Sequence, residues 1–203
     1  MNKPQRLPAR TKLFTSSLFN SSLVRLGVRL GLALLLTVLL SGCDGNTELM
    51  KQAISGDAEA VHASLESGVK VDERNNYGWT ALMHAARQNH TEVMSALLDA
   101  GADINQQDDT GWTALMRAAA KGHLEATQLL LQYGAEVDRG DDKGWTPLLW
   151  AVNRGHTAIV QELIRTGADI NAKTRDGRTA TNIATNEGYG DILELLQKAA
   201  SKQ

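Results

Sequence analysis

The sequence predicts an all-α repeat solenoid of about five stacked helix-turn-helix units with projecting β-turn fingers. Three observations predict it. Gly78, Gly111, Gly144 and Gly177 recur every 33 residues, as do Gly68, Gly101, Gly134 and Gly167. The run Gly78-Trp79-Thr80-Ala81-Leu82-Met83-His84-Ala85-Ala86 is echoed at Gly111-Trp112-Thr113-Ala114-Leu115-Met116-Arg117-Ala118-Ala119 and at Gly144-Trp145-Thr146-Pro147-Leu148-Leu149-Trp150-Ala151-Val152. Both Phe residues, Phe14 and Phe19, lie ahead of the repeats, so the core must grow from Leu, Ile, Val and Ala by stacking.

Residues 1–42 form a separate element. They hold six basic residues and no acid, whereas the rest carries 15 basic against 23 acidic residues, a net charge of −8. Leu30 to Leu40 is an uncharged apolar run directly after Arg25 and Arg29. As a helix it would span roughly 16 Å, about half a bilayer core, which suits the apolar centre of a signal peptide better than a membrane span. Leu40-Ser41-Gly42-Cys43 resembles the lipobox of bacterial lipoproteins, and Cys43 is the sole Cys of the chain. The resemblance implies removal of 1–42, lipidation of Cys43 with acyl chains such as palmitate, and a periplasmic location. Asp44, after the Cys, resembles the signal that holds enteric lipoproteins in the inner membrane. A start at Leu23 or Val24 on a non-Met codon would leave a leader of about twenty residues, the usual length. Residues 43–45 are then the lipidated Cys and a short tether, about 10 Å at full extension.

The repeat domain follows at 46–203, divided into 46–78, 79–111, 112–144, 145–177 and 178–203. Thr80, Thr113, Thr146 and Thr179 stand where a hydroxyl caps a first helix, and Pro147 falls at a first helical position. Small residues, Ala85, Ala86, Ala118, Ala119 and Ala151, line that helix. A second helix carries Val93, Leu97 and Leu98 or their equivalents, and Gly101, Gly134 and Gly167 end it. The polar, turn-rich stretch before each Gly-Trp gives the finger. The end units depart from the pattern. Unit 46–78 keeps Leu49, Ala53, Gly56 and Gly68 without the full opening, and Thr181 replaces the usual Leu in 178–203, as expected of polar caps on a one-dimensional stack.

These motifs, with Asn89-His90, Gly122-His123 and Gly155-His156, then Gly101-Ala102-Asp103, Gly134-Ala135-Glu136 and Gly167-Ala168-Asp169, resemble the ankyrin-repeat family over nearly all of 46–203. The resemblance implies a non-catalytic module that binds a protein partner. Some exported bacterial ankyrin proteins resemble accessory factors of periplasmic enzymes, catalases included. Two other readings fit the residues: an immunity protein that neutralises a secreted toxin or lipase with an acidic face, or a cytoplasmic regulator if the leader is not used.

Catalytic motifs for nucleophilic, phosphate or metal chemistry are absent from the sequence, so no enzyme activity, cofactor or small-molecule substrate is expected. His90, His123 and His156 share one repeat position, roughly 8–10 Å apart in packed helices, too far for one zinc, and are expected to bond within their own loops. Asp108-Asp109, Asp138, Asp141-Asp142 and Asp176 lack the spacing of a calcium loop and read as a solvated acidic face. A −8 domain without a Lys/Arg stripe disfavours nucleic acid.

The tryptophans are the candidate site. Trp79, Trp112 and Trp145 fill the variable position between Gly and Thr, which in ankyrins faces the concave surface, and Trp150 fills the variable position shared with His84 and Arg117. They form either a stiffening ladder or the centre of an interface, where Trp is enriched. Arg87, Gln88, Lys121 and Arg154 at the helix ends, with Tyr77, Asp109 and Asp142 at the finger tips, make the expected polar rim.

Overall fold

The computed structural model of the chain describes residues 44–201. Within them ten helices form five antiparallel pairs: α1 (Glu48–Ser55) with α2 (Ala58–Glu66), α3 (Ala81–Gln88) with α4 (Thr91–Asp99), α5 (Ala114–Lys121) with α6 (Leu124–Gln132), α7 (Pro147–Asn153) with α8 (Thr157–Arg165), and α9 (Ala180–Glu187) with α10 (Gly190–Ala200). The first helices α1, α3, α5, α7 and α9 pack side by side in one layer, and the second helices form the other. One isolated bridge, Lys173 to Thr179, is the only strand-like pairing among the described residues. None of these helices is long and apolar enough to cross a membrane. Cys43 and the leader lie outside the described residues.

The first helices begin where a hydroxyl satisfies an otherwise orphaned amide. Thr80, Thr113, Thr146 and Thr179 accept from the backbone N–H of Met83, Met116, Leu149 and Asn182, each cap contributing about 1 kcal/mol. The N-terminal unit departs less from the pattern than its sequence implies, because Thr47 caps α1 in the same way through Met50 N–H. The residues between Cys43 and α1 do not form a free tether either. Asn76 N–H donates to the Asp44 carbonyl at 3.1 Å, and Asn75 Nδ2 donates to Asn46 Oδ1 at 2.7 Å, so 44–46 dock against the first finger.

Close layering follows from residue size. Ala85, Ala86, Ala118, Ala119 and Ala151 are fully buried between neighbouring first helices, while Leu82, Leu97, Leu115, Leu130, Leu148 and Leu163 fill the space between layers. One first helix ends differently. Asn89 takes the left-handed conformation, φ 62°, that Gly122 takes in the next unit. Its side chain offsets that strain: Oδ1 accepts from Ala126 N–H at 3.1 Å and Nδ2 donates to Glu125 at 3.2 Å, tying α3 to the start of α6.

The three repeat histidines are not bonded within their own loops. His90, His123 and His156 place Nε2 3.1, 3.0 and 3.3 Å from the carbonyls of Ile54, Arg87 and Ala120, each in the preceding unit. They are rivets between repeats, which explains why one residue type recurs at that position.

Candidate functional site

Each of the first three fingers is closed by a side-chain amide or carboxylate that also positions the tryptophan after it, whereas in the fourth the Thr174 hydroxyl accepts from Arg178 N–H. Asn75 Oδ1 accepts from the N–H of Tyr77 and Trp79, both at 2.9 Å. Asp108 Oδ1 accepts from Thr110 and Trp112 at 2.8 and 3.0 Å, and Asp141 Oδ1 from Lys143 and Trp145 at 2.8 and 2.9 Å. This leaves the second carboxylate oxygen free, and the residue nine positions on takes it. Arg117 pairs with Asp108 Oδ2, and Trp150 Nε1 donates to Asp141 Oδ2 at 3.2 Å. The Asp108 side chain is only 1% exposed.

The same variable residue stacks on two tryptophans at once. The Arg117 guanidinium lies 3.8 Å from the Trp79 ring centre and 4.3 Å from that of Trp112. Trp150 sits 4.4 Å from Trp112 and 4.6 Å from Trp145. Arg178, which occupies the Trp position of the last unit, covers Trp145 at 4.8 Å, and Arg87 reaches to 5.5 Å from Trp79. The face is therefore one continuous stack, Arg87, Trp79, Arg117, Trp112, Trp150, Trp145, Arg178, held by cation–π and aromatic contacts.

Trp79, Trp112 and Trp150 are half-buried and keep an open edge, but Trp145 is only 6% exposed. It underpins the strip from within, so Trp145, expected with Trp79 and Trp112 at an exposed variable position, is instead covered by its neighbours. Arg87, Gln88, Lys121 and Arg154 are exposed at the ends of α3, α5 and α7, and Tyr77, Asp109 and Asp142 are exposed at the finger tips. Arg117, Arg178, His84 and Asp108 complete the site without having been singled out by the sequence. The signal for Arg117 was present: an acidic residue nine positions upstream, repeated for Trp150.

Charge is distributed differently from the sequence expectation of an acidic face. At the fingers, Asp109 pairs with Arg74 at 2.7 Å and Asp176 with Arg178 at 2.8 Å. Between Trp79 and Trp112 a cleft of about 380 Å³ is lined by Arg87, Arg117, Lys121 and Arg154 and by no carboxylate. Four cations absent from any single stretch of sequence are thus brought together. Beside it, a cleft of about 410 Å³ reaches from Asp44 to Arg117 and includes His84. His84 packs against Trp79 at a tilt, with ring centres 4.9 Å apart, and its Nε2 is buried without a hydrogen-bond partner. Burial, reinforced by Arg87 and Arg117 against the opposing pull of Asp44, lowers its pKa to about 4. Burial also lowers the pKa of Arg117, with Asp108 opposing. No cluster among the described residues could hold a metal ion.

A family model described as ankyrin repeats (3 copies) matches residues 29–108, 49–141 and 135–203. The chain is an ankyrin-repeat protein. A comparison with curated proteins found no match. Ankyrin stacks are protein–protein interaction scaffolds and typically non-catalytic.

Proposed function

We propose that this ankyrin-repeat protein is a periplasmic lipoprotein, anchored through Cys43 at the inner membrane, whose repeat domain holds a protein partner as a scaffold or accessory factor. The observation that carries the binding role is the Trp–Arg stack. Finger hydrogen bonds fix the backbone of Trp112 and Trp145, and Asp108 holds the Arg117 guanidinium between the rings before any partner arrives, so little side-chain freedom is lost on association. The lipobox-like Leu40-Ser41-Gly42-Cys43 and the following Asp44 support the anchor and its location. Because 44–46 already dock on the first finger, the stack would stand directly at the headgroups, and multiple acyl chains on Cys43 would hold it there.

An immunity role would suit membrane-proximal tethering and an acidic concave surface, and the cations lining the central cleft favour the scaffold reading over it. The cytoplasmic reading is separated by chemistry: labelled palmitate should enter the parent protein and not Cys43→Ala, and labelling of neither would end the lipoprotein reading. Binding is tested by cross-linked capture from membranes with the parent and with Trp112→Ala. The partner should be lost with the variant while its helical signal persists, and undiminished capture would place the interface elsewhere.

A further inference from the structure

We infer that the cleft between Trp79 and Trp112 is a receptor for an extended acidic peptide segment of the partner, its carboxylates seated on Arg87, Lys121 and Arg154. The inference rests on the protein-binding reading above and specifies the chemistry of what is bound. Among the described residues none of these three cations forms an ion pair, and the cleft they line contains no carboxylate. Arg117 also lines the cleft, immobilised between the two indoles with its charge already paired to Asp108, so the unpaired charge is that of the other three. A cluster of unpaired like charges costs free energy in the empty protein, and that cost is released when opposite charge arrives.

The arrangement selects the kind of anion. Arg87, Lys121 and Arg154 stand at the ends of α3, α5 and α7, whose axes are about 10 Å apart. A small carboxylate cannot reach three successive helices, whereas an extended chain in the polyproline II conformation, three residues per turn at about 3.1 Å each, brings every third side chain to one face roughly 9 Å apart and can present an acid to each. Nearby, Asp142 stands exposed at its finger tip without an ion pair, and the domain as a whole is acidic. A broad polyanion such as a bilayer surface meets this repulsion, and a single narrow strand laid along the cations does not. Trp79 and Trp112 flank the cations and supply apolar walls for the stems between the acids.

The full-length protein in neutral detergent is titrated with a short peptide carrying Glu at every third position, with its Gln counterpart, and with phosphatidylglycerol vesicles, followed by indole fluorescence and calorimetry. The Glu peptide should bind, the Gln peptide should not, and raising salt from about 50 to 300 mM should weaken the complex. The triple variant Arg87→Glu, Lys121→Glu, Arg154→Glu should lose at least about tenfold in affinity. The control Lys70→Glu, Lys173→Glu, Lys198→Glu, with the same change in net charge at exposed positions outside the cleft, should retain it. Equal losses in both variants, equal binding of both peptides, or cleft-dependent binding of vesicles without binding of peptide would each overturn the inference. If partner capture is abolished by Trp112→Ala but unaffected by the triple reversal, the acidic-segment inference fails while the binding surface stands. If neither change affects capture, both fail.

Discussion

Arg117→Ala should be the most damaging single change on this face. It leaves Asp108, 1% exposed, with Oδ2 unpaired, while Oδ1 keeps its bonds from Thr110 N–H, the Thr110 hydroxyl and Trp112 N–H. Removing one member of a buried ion pair costs roughly 3–5 kcal/mol. The bonds retained on Oδ1 place the expected loss near the lower end, about 3 kcal/mol, including the two ring contacts that vanish with the guanidinium. The assay is urea unfolding at pH 7, read as the midpoint at unchanged slope. The decisive comparison is the double variant Arg117→Ala, Asp108→Asn. A neutral amide keeps the Oδ1 acceptor and removes the stranded charge, so the double variant should be more stable than Arg117→Ala by about 1–2 kcal/mol. Asn75 already closes the preceding finger in this way. If Arg117→Ala costs under about 1 kcal/mol, or the double variant is no more stable than the single, the buried pair does not organise the stack as argued.

Further outcomes follow from the same geometry. His84, with a folded pKa of about 4 against an unfolded value near 6.5, is neutral in the fold, so the unfolded chain binds the extra proton between those values. Its contribution is full above pH 6.5 and is lost as pH falls towards 4. Relative to His84→Gln, the parent should lose roughly 2 kcal/mol between pH 7 and 4.5 by chemical denaturation, after allowance for screening, and a constant difference would contradict the buried neutral ring. Gly134→Ala meets no atom within 4 Å and should cost only the left-handed strain, about 1 kcal/mol, whereas a Cβ on Gly111 would stand 2.7 Å from the backbone N of Asp142 and should cost distinctly more. Equal melting temperatures for the two would refute the close approach of adjacent fingers. Thr113→Ala should lower stability by about 1 kcal/mol through loss of the Met116 cap, measured by the same unfolding curves.

Much of this fold is legible in the chain because its determinants are local. A Thr three residues before an amide, a Gly after the last helical turn and an Ala where helices touch each act within a turn of helix. The 33-residue recurrence then says that the same solution is used repeatedly. Legibility weakens at the N-terminal unit, where Thr47 does the work of Thr80 without the surrounding Gly-Trp signature. It weakens again at the site, where Arg117 looks like an ordinary exposed helix residue until its neighbours are in place.

By itself the sequence determined the helix pairs, their caps and the variable positions at which Trp, Arg and His appear. Tertiary structure decided what those positions became: Arg117 between rings of residues 38 apart from Trp79 and five from Trp112, Trp145 buried beneath Trp150, histidines bonded to the preceding repeat, and four cations gathered into one cleft of an acidic domain. The physical reason is range. Caps and turns close over three or four residues, but ring stacking and charge clustering depend on the spacing between repeats, which exists only once the helices have packed.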